Sequence, residues 1–202
     1  METSSNPLII ALTGATGSIY GLTLARKVLK AGIPLHLLIS KSGLSIIEHE
    51  TGRSWSDWLA DLRKFGNIET PAIDNLGASI SSGSYPTRGM VIAPCSMGSL
   101  GRIASGISGN LIERAADVCM KERRPLILLA RETPLSAIHL QNMLSITHSG
   151  GIIMPPVPAF YTKPKQISEL VEHTIDRVMA LLNIDTDNAY QWNPDSGDPE
   201  KI

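Results

Sequence analysis

The chain is poor in cysteine and in charged residues. Its 202 residues include two cysteines, Cys95 and Cys119, which are too few for a disulfide framework and indicate reduced thiols in a cytoplasmic protein. Charged residues make up 18% of the chain, a low share for a monomer, while 43% of the residues are hydrophobic. This balance predicts that subunit contacts cover part of the surface, as in a homo-oligomer.

Other absences exclude whole classes of function. The net charge is −1, so no basic field favours nucleic acid. No apolar run reaches the roughly 20 residues of a membrane span, and the start, Met1 to Asn6, does not resemble a signal peptide. The histidines form no ligand-spaced pair, and Glu48-His49-Glu50 places its side chains in different directions on a helix, so we predict no metal site.

Apolar strands alternate with helical patterns along the chain. The first predicted strand is the short apolar run that begins at Leu8. The others cover about 34–40, 90–93, 125–130 and 151–154. The predicted helices cover about 22–31, 41–50, 55–65, 110–122, 136–148 and 166–182, and 66–88 is predicted to be a functional loop. This order predicts one three-layer, doubly wound α/β domain over residues 8–183 with a mostly parallel sheet, between tails at 1–7 and 184–202.

Four predicted strands end in polar or glycine-containing turns. These turns contain Gly14-Ala15-Thr16, Ser40, Ser96-Met97-Gly98-Ser99 and Arg131-Glu132. The first turn alone is equally consistent with a phosphate cradle or a tight turn without a ligand, since it lacks the G-x-G-x-x-G spacing. Because ligands of doubly wound sheets bind outside the carboxyl ends of the strands, the four turns together favour a ligand with a planar ring and one phosphate.

Further polar residues leave two interpretations open. The run from Lys121 to Arg124 is typical of a solvated helix end. Arg177 lies at the border of the apolar stripe of the last helix, from which it either reaches a pocket or extends to solvent. Tyr161 follows a proline-rich segment and either binds an anion or packs. Cys95 has no neighbouring base in sequence, which favours a buried structural cysteine.

Several long motifs resemble the UbiX-type flavin prenyltransferases. The resemblance covers about residues 8–183 and rests on these segments: 13–17 (TGATG), 39–41 (ISK), 82–84 (SGS), 94–100 (PCSMGSL), 110–118 (NLIERAADV), 121–126 (KERRPL), 131–134 (RETP) and 160–161 (FY). The resemblance implies a flavodoxin-like, Rossmann-like fold and a homo-oligomer, commonly a dodecamer.

The resemblance also implies an activity. Members of this family join a dimethylallyl group from dimethylallyl phosphate to N5 and C6 of reduced FMN without a metal ion. The product, prenylated FMN, is the cofactor of UbiD-type decarboxylases in pathways such as ubiquinone biosynthesis.

The resemblance also implies the site residues, by their position along the matching part of the chain. FMN would contact Gly14, Ala15, Thr16, Ser40, Ser96, Met97, Gly98, Ser99 and Arg131. Tyr161, Arg177 and Lys121 would hold the prenyl phosphate. Glu132, as a desolvated carboxylate, would be the acid and base, and Glu50 and Arg114 would line the site. Thr16 departs from the serine of many relatives but keeps the hydroxyl, so we expect the function to be retained.

Three other functions fit the same fold. A flavin-dependent decarboxylase of a cysteine-derived substrate would use a histidine near the flavin, for which His49 is the candidate, but its C-terminal asparagine motif is not visible. A decarboxylase of aromatic acids would require a group that orients the aromatic carboxylate. A non-catalytic FMN carrier would require neither Glu132 nor the phosphate residues.

Overall fold

A parallel sheet forms the centre of the protein, described by a computed structural model over residues 6–186. Its strands are β1 Leu8–Leu12, β2 Leu35–Ile39, β3 Ile68–Glu69, β4 Met90–Cys95, β5 Leu126–Ala130 and β6 Ile152–Ile153. They form one six-stranded sheet in the order β3-β2-β1-β4-β5-β6, and every neighbouring pair is parallel. The predicted doubly wound α/β fold is therefore confirmed.

Helices cover both faces of this sheet. They are α1 Ser18–Lys30, α2 Lys41–Thr51, α3 Trp55–Leu62, α4 Met97–Ala104, α5 Leu111–Lys121, α6 Ala137–His148 and α7 Ile167–Leu181. Strand β1 shows why the sheet needs both layers, because all five of its residues are buried. Leu8, Ile10 and Leu12 face a core shared with α1, α2, α3 and α7. Ile9 and Ala11 face a second core with α4, α5 and α6.

Three elements differ from the sequence predictions. Helix α1 begins at Ser18, four residues before the predicted start at Leu22. The segment predicted as a turn from Pro94 to Ser99 contains the start of α4, a short helix with two glycines that reads as a turn in sequence. The predicted loop over 66–88 contains the edge strand β3 and a short 3-10 turn at Ser79–Ser81.

Helix α7 buries only part of its predicted apolar stripe. Val171, Ile175 and Val178 are buried against α1 and the sheet, whereas Ile167 is 80% exposed and Leu181 is 37% exposed. Arg177 is exposed as well.

The chain continues to pack after α7, since Leu182 and Ile184 belong to the core. Residues 1–5 and 187–202, which include most of both predicted tails, lie outside the described residues. Within residues 6–186, no helix is long and apolar enough to cross a membrane.

Candidate functional site

The crevice of the sheet lies where β1 and β4 run side by side. From β1 the chain passes through α1 to β2 on one side, and from β4 it passes to β5 on the other, so the two connections diverge. The buried Thr13 joins the two turns. Its Oγ1 donates to the carbonyl oxygen of Pro94 at 2.9 Å and accepts from the Ser96 backbone N–H at 2.8 Å. The turns after β1 and β4 are thus held in fixed positions relative to each other.

Two helices next to this crevice begin with serine N-caps. Ser40 Oγ accepts from the Gly43 N–H at 3.0 Å at the start of α2. Ser96 Oγ accepts from the Ser99 N–H at 3.3 Å at the start of α4. The positive ends of both helices therefore lie at the carboxyl edge of the sheet, where they favour an anion.

The predicted cofactor residues after β1, β2 and β4 gather at this edge, but they differ in accessibility. Gly98 is exposed, whereas Met97 and Ser99 are buried. Gly14 and Ala15 are half-buried and Thr16 is exposed. The sequence prediction placed the residues of segment 96–99 in one turn, yet they form the first turn of α4, so only part of that turn is open to a ligand.

The N-terminus of α1 already has an anionic partner, the carboxylate of Glu50. Its Oε1 accepts from the Gly17 N–H at 2.9 Å and from the Thr16 hydroxyl, and its Oε2 accepts from the Ser18 N–H at 2.8 Å and the Ser18 hydroxyl at 2.6 Å. Gly17 permits this turn because its φ of 101° is strained for any other residue. The first α1 N–H groups, which the sequence suggested for a phosphate, are therefore occupied by Glu50.

Hydrogen bonds keep Glu50 ionised. Burial opposes ionisation, but the hydrogen bonds from Ser18, Thr16 and Gly17 outweigh it and lower the pKa of the Glu50 carboxyl below its ordinary value of 4.5. Sequence patterns could not predict this contact, since Thr16 and Glu50 are 34 residues apart.

Arg131 and Glu132 follow β5 at the same carboxyl edge, as predicted. The Arg131 N–H donates to the carbonyl oxygen of Cys95 at 3.1 Å, which joins this turn to the end of β4. The Glu132 carboxylate accepts from the Thr133 N–H at 3.0 Å. Every residue from 131 to 138 is exposed, so the desolvated Glu132 expected from the sequence is not formed by one chain alone.

Lys121 lies at the opposite end of the strands, where their amino ends are. It ends α5 just before β5 begins, whereas Glu132 follows the end of β5. The five residues of β5 span roughly 16 Å at the rise of a parallel strand. One chain therefore does not bring Lys121 to Glu132. The Lys121 ammonium instead pairs with the neighbouring Glu122 carboxylate.

Two residues beside Lys121, Gly83 and Arg124, lie in motifs that carry the family resemblance, although the sequence assigned neither of them a role in the site. The Arg124 guanidinium donates to the carbonyl oxygens of Gly83 at 2.6 Å and of Tyr85 at 2.8 Å. A Cβ atom at Gly83 would lie closest to the Glu122 carboxylate and 2.6 Å from the Lys121 Nζ, so the absence of a side chain makes room for the Lys121–Glu122 pair. Arg124 and Gly83 together define the surroundings of Lys121.

Arg114 supports the neighbouring part of the same segment. Its Nε donates to the carbonyl oxygen of Ser81 at 3.0 Å, and its guanidinium pairs with Asp117 at 2.7 Å. The side chain is 35% exposed. Arg114 thus holds the 3-10 turn at Ser79–Ser81 against α5.

Tyr161 and Arg177 are brought near each other, through a residue that the sequence did not single out. The Tyr161 hydroxyl lies 3.0 Å from Nε2 of His173. His173 precedes Arg177 by four residues in α7, a spacing that places both side chains on one face of a helix. Two of the three predicted phosphate residues, Tyr161 and Arg177, therefore belong to one surface, which is the outer side of α7, whereas Lys121 lies elsewhere.

Cys95 is a structural residue, as the sequence favoured. It is fully buried at the end of β4, and burial raises the pKa of its thiol to about 12. A thiol with so high a pKa is a poor nucleophile. Among residues 6–186, no group of three or more His, Cys, Asp or Glu side chains is placed to hold a metal ion.

The sheet order and the edge residues define a class, the doubly wound α/β proteins with a ligand crevice at the divergence of β1 and β4. Residues 1–179 match the Flavoprotein family. The chain is 44% identical over 186 residues to a "Probable UbiX-like flavin prenyltransferase" of Bacillus subtilis strain 168, an alignment that covers 92% of this chain and 89% of that protein. The chain belongs to the UbiX-type flavin prenyltransferase family.

Solved structures agree with this assignment. The crystal structure of AnUbiX (PadA1) in complex with FMN and dimethylallyl pyrophosphate has a TM-score of 0.87 and 40% identity, covering 94% of this chain and 98% of that one. A dodecameric FMN-dependent UbiX-like decarboxylase from Escherichia coli O157:H7 has a TM-score of 0.86 and 38% identity, in an alignment that covers 93% of this chain and 99% of that one.

Proposed function

We propose that this protein is a flavin prenyltransferase that transfers a dimethylallyl group from dimethylallyl phosphate to N5 and C6 of reduced FMN. The observation that carries the proposal is the likeness, over nearly the whole chain, to a protein crystallised with FMN and dimethylallyl pyrophosphate. This likeness favours prenyl transfer over decarboxylation of a cysteine-derived substrate. Prenylated FMN would then pass to a UbiD-type decarboxylase, in a pathway such as ubiquinone biosynthesis in the cytoplasm.

FMN fits the crevice between β1 and β4 on chemical grounds. The N-termini of α2 and α4 place two positive helix ends at this edge, which suits one phosphate group. Small side chains beside them leave room for the rest of the ligand. In the proposal the FMN contacts are Gly14, Ala15, Thr16, Ser40, Ser96, Met97, Gly98, Ser99 and Arg131. Reduced FMN itself supplies the electron-rich N5 and C6 atoms.

Three donors would stabilise the departing phosphate. The Lys121 ammonium, the Arg177 guanidinium and the Tyr161 hydroxyl form charge-assisted hydrogen bonds that strengthen as the allylic C–O bond breaks. In this proposal they do so without a metal ion. Glu132 would donate a proton to C2′ of the allyl double bond as the C6–C3′ bond forms, and its carboxylate would then take the proton from C6, so the carboxyl group is regenerated. Glu50 and Arg114 would support the site from its rim.

A second copy of the chain would complete the site. Lys121 and Glu132 of one chain lie at opposite ends of β5, and the turn with Glu132 is open to water. A neighbouring subunit that covers residues 131–138 both supplies cations and excludes water, which strengthens electrostatic interactions within the site. The E. coli dodecamer with the same fold supports a homo-oligomer, and we propose a dodecamer.

Anaerobic turnover tests the proposal. The protein is incubated with chemically reduced FMN and dimethylallyl monophosphate, and the released flavin is analysed by mass spectrometry. We expect a mass gain of one dimethylallyl group. Glu132→Gln should still bind FMN but fail to close the ring at C6, which the absorption spectrum of the flavin reports because the open and closed adducts have the same mass. Dimethylallyl diphosphate in a parallel reaction identifies the preferred donor. An unchanged flavin mass from folded protein that binds FMN would refute the proposed function.

A further inference from the structure

The Tyr161 side chain projects from an irregular and exposed segment. It lies in the 3-10 turn Phe160–Thr162, and its side chain is 53% exposed beside Phe160, which is 71% exposed. Lys163, the residue after this turn, has a φ of 52°, a left-handed backbone conformation that residues other than glycine adopt infrequently. A phenol on such a segment needs a contact that sets the direction of its hydroxyl before it can bind a ligand in a defined geometry.

His173 makes two contacts of this kind. Its Nε2 lies 3.0 Å from the Tyr161 hydroxyl oxygen, within hydrogen-bond distance. The two rings also meet edge to face, with centroids 5.5 Å apart and planes at 83°. The hydrogen bond fixes the phenol oxygen and the ring contact fixes the plane, so the position of Tyr161 depends on α7.

Arg177 lies next to this pair on the same side of α7. The opposite side of the helix holds Val171, Ile175 and Val178 in the core. Asp176 turns toward α1, where its carboxylate pairs with the Lys27 ammonium at 2.6 Å. Arg177 is left exposed, one turn after His173.

We infer that His173 is a positioning residue for the prenyl-phosphate group, because it fixes the Tyr161 hydroxyl beside Arg177. The inference rests on the proposed function, in which Tyr161 and Arg177 bind that phosphate. A phenol has one proton to donate. When the phosphate accepts it, the Tyr161 oxygen can still accept a hydrogen bond, and His173 must then carry its proton on Nε2. The histidine thus supplies a donor that leaves the tyrosine proton for the substrate.

This inference predicts how substitutions at residue 173 differ. His173→Phe keeps a ring edge against Tyr161 but removes the hydrogen bond, whereas His173→Gln keeps a side-chain donor. One hydrogen bond is worth about 1 kcal/mol, so we expect His173→Phe to raise the KM for dimethylallyl monophosphate about 3- to 10-fold. The KM for reduced FMN should stay unchanged, and His173→Gln should restore part of the loss.

A double-mutant cycle with Tyr161→Phe tests the pairing. Because His173 acts through the Tyr161 hydroxyl, adding His173→Phe to Tyr161→Phe should cause no further rise in KM. Glu172→Gln, a change at an exposed neighbour on α7, is the matched control and should leave both constants unchanged. Additive effects of the two substitutions would overturn the inference.

A binding measurement separates this inference from the proposed function. Calorimetric titration of dimethylallyl monophosphate into the protein loaded with oxidised FMN needs no turnover. We expect His173→Phe to weaken this binding by the same factor by which it raises the KM for dimethylallyl monophosphate. Equal affinities of the original protein and His173→Phe would refute the role of His173 even if prenylation occurs. Absence of prenylated flavin with the original protein would instead refute the proposed function.

Discussion

The carboxylate of Glu50 supplies the negative charge that helix α1 favours at its N-terminus. Its lowered pKa carries a consequence for stability, since the folded state favours the ionised form. The stabilisation by Glu50 is fully present above its ordinary pKa of 4.5 and is lost as the pH falls below that value toward the lower pKa of the folded protein. A Glu50 substitution should therefore matter most near neutral pH.

We predict that Glu50→Gln lowers the free energy of unfolding by about 1 kcal/mol at pH 7, as loss of a helix cap does. The difference from the original protein should shrink below pH 4.5. Urea denaturation followed by circular dichroism across this pH range measures both. Glu48→Gln, at an exposed position of the same helix, should behave like the original protein, and a pH-independent deficit in Glu50→Gln would contradict the prediction.

Gly83 offers a second test at the scale of one residue. A methyl group there would meet the Glu122 carboxylate and the Lys121 Nζ, and the flexible ends of both side chains can move away at little energetic cost. We predict that Gly83→Ala changes the free energy of unfolding by less than about 0.5 kcal/mol. The KM for dimethylallyl phosphate should rise severalfold, because the ammonium is displaced.

Steady-state kinetics of Gly83→Ala, with each substrate varied in turn, measures the KM for dimethylallyl phosphate and the KM for FMN separately. Ser84→Ala, at the next position of the same loop, is the control and should keep the original KM. If Gly83→Ala raises the KM for FMN instead, Lys121 acts on the flavin rather than on the prenyl phosphate.

Among the elements, α4 and α5 are joined by one buried carboxylate. Glu113 is 2% exposed and accepts from the Arg102 guanidinium, from the Gly109 N–H at 2.8 Å and from the Asn110 amide at 2.8 Å. These bonds connect the end of α4, the linker and the first turn of α5. Because α4 begins just after its N-cap Ser96 at the crevice, Glu113 also fixes one wall of the crevice.

We predict that Glu113→Ala destabilises the protein by about 2 kcal/mol, since it leaves several partners unsatisfied at a buried position. Chemical denaturation measures this loss. Glu122→Ala, which removes an exposed carboxylate paired with Lys121, should cost much less. A loss in Glu113→Ala no larger than in Glu122→Ala would show that the α4–α5 linker does not depend on this residue.

The sequence allowed the strands and the sheet to be predicted because continuous apolar runs such as that of β5 are typical of buried parallel strands. It could not predict α4, whose glycines weaken the helical pattern, or the start of α1, which depends on the distant Glu50. The family resemblance assigned Tyr161 and Arg177 to the prenyl phosphate, whereas the contact of His173 with Tyr161 is known only from the packing of the 3-10 turn Phe160–Thr162 against α7. Contacts between distant residues have no local signal.

At the scale of the whole molecule, α6 buries little of itself. Its only buried residue is Ile146, while Ile138, Leu140 and Leu144 are 72%, 53% and 45% exposed. Such apolar exposure beside the open turn with Glu132 is typical of a subunit interface. The low charge content of the sequence independently indicates a covered surface.

We predict that Leu144→Arg breaks this interface, because a buried charge at a subunit contact lacks a partner. Light scattering coupled to size-exclusion chromatography should show a smaller particle, and prenylation should fall more than about tenfold as the shared site is lost. Leu76→Arg changes an equally exposed leucine of the 66–88 segment and serves as the control. A Leu144→Arg protein of unchanged mass would place the interface elsewhere.

The length of β5 makes the proposed active site a property of the assembly rather than of the chain. If Lys121 and Glu132 of one site come from different copies, two defective variants can complement each other. Lys121→Met and Glu132→Gln should each fail to form the cyclised flavin alone, yet oligomers reassembled from a mixture should contain some sites with both original residues. Recovery of the cyclised flavin on mixing measures this directly, and no recovery in verified mixed oligomers would show that each chain supplies both groups itself.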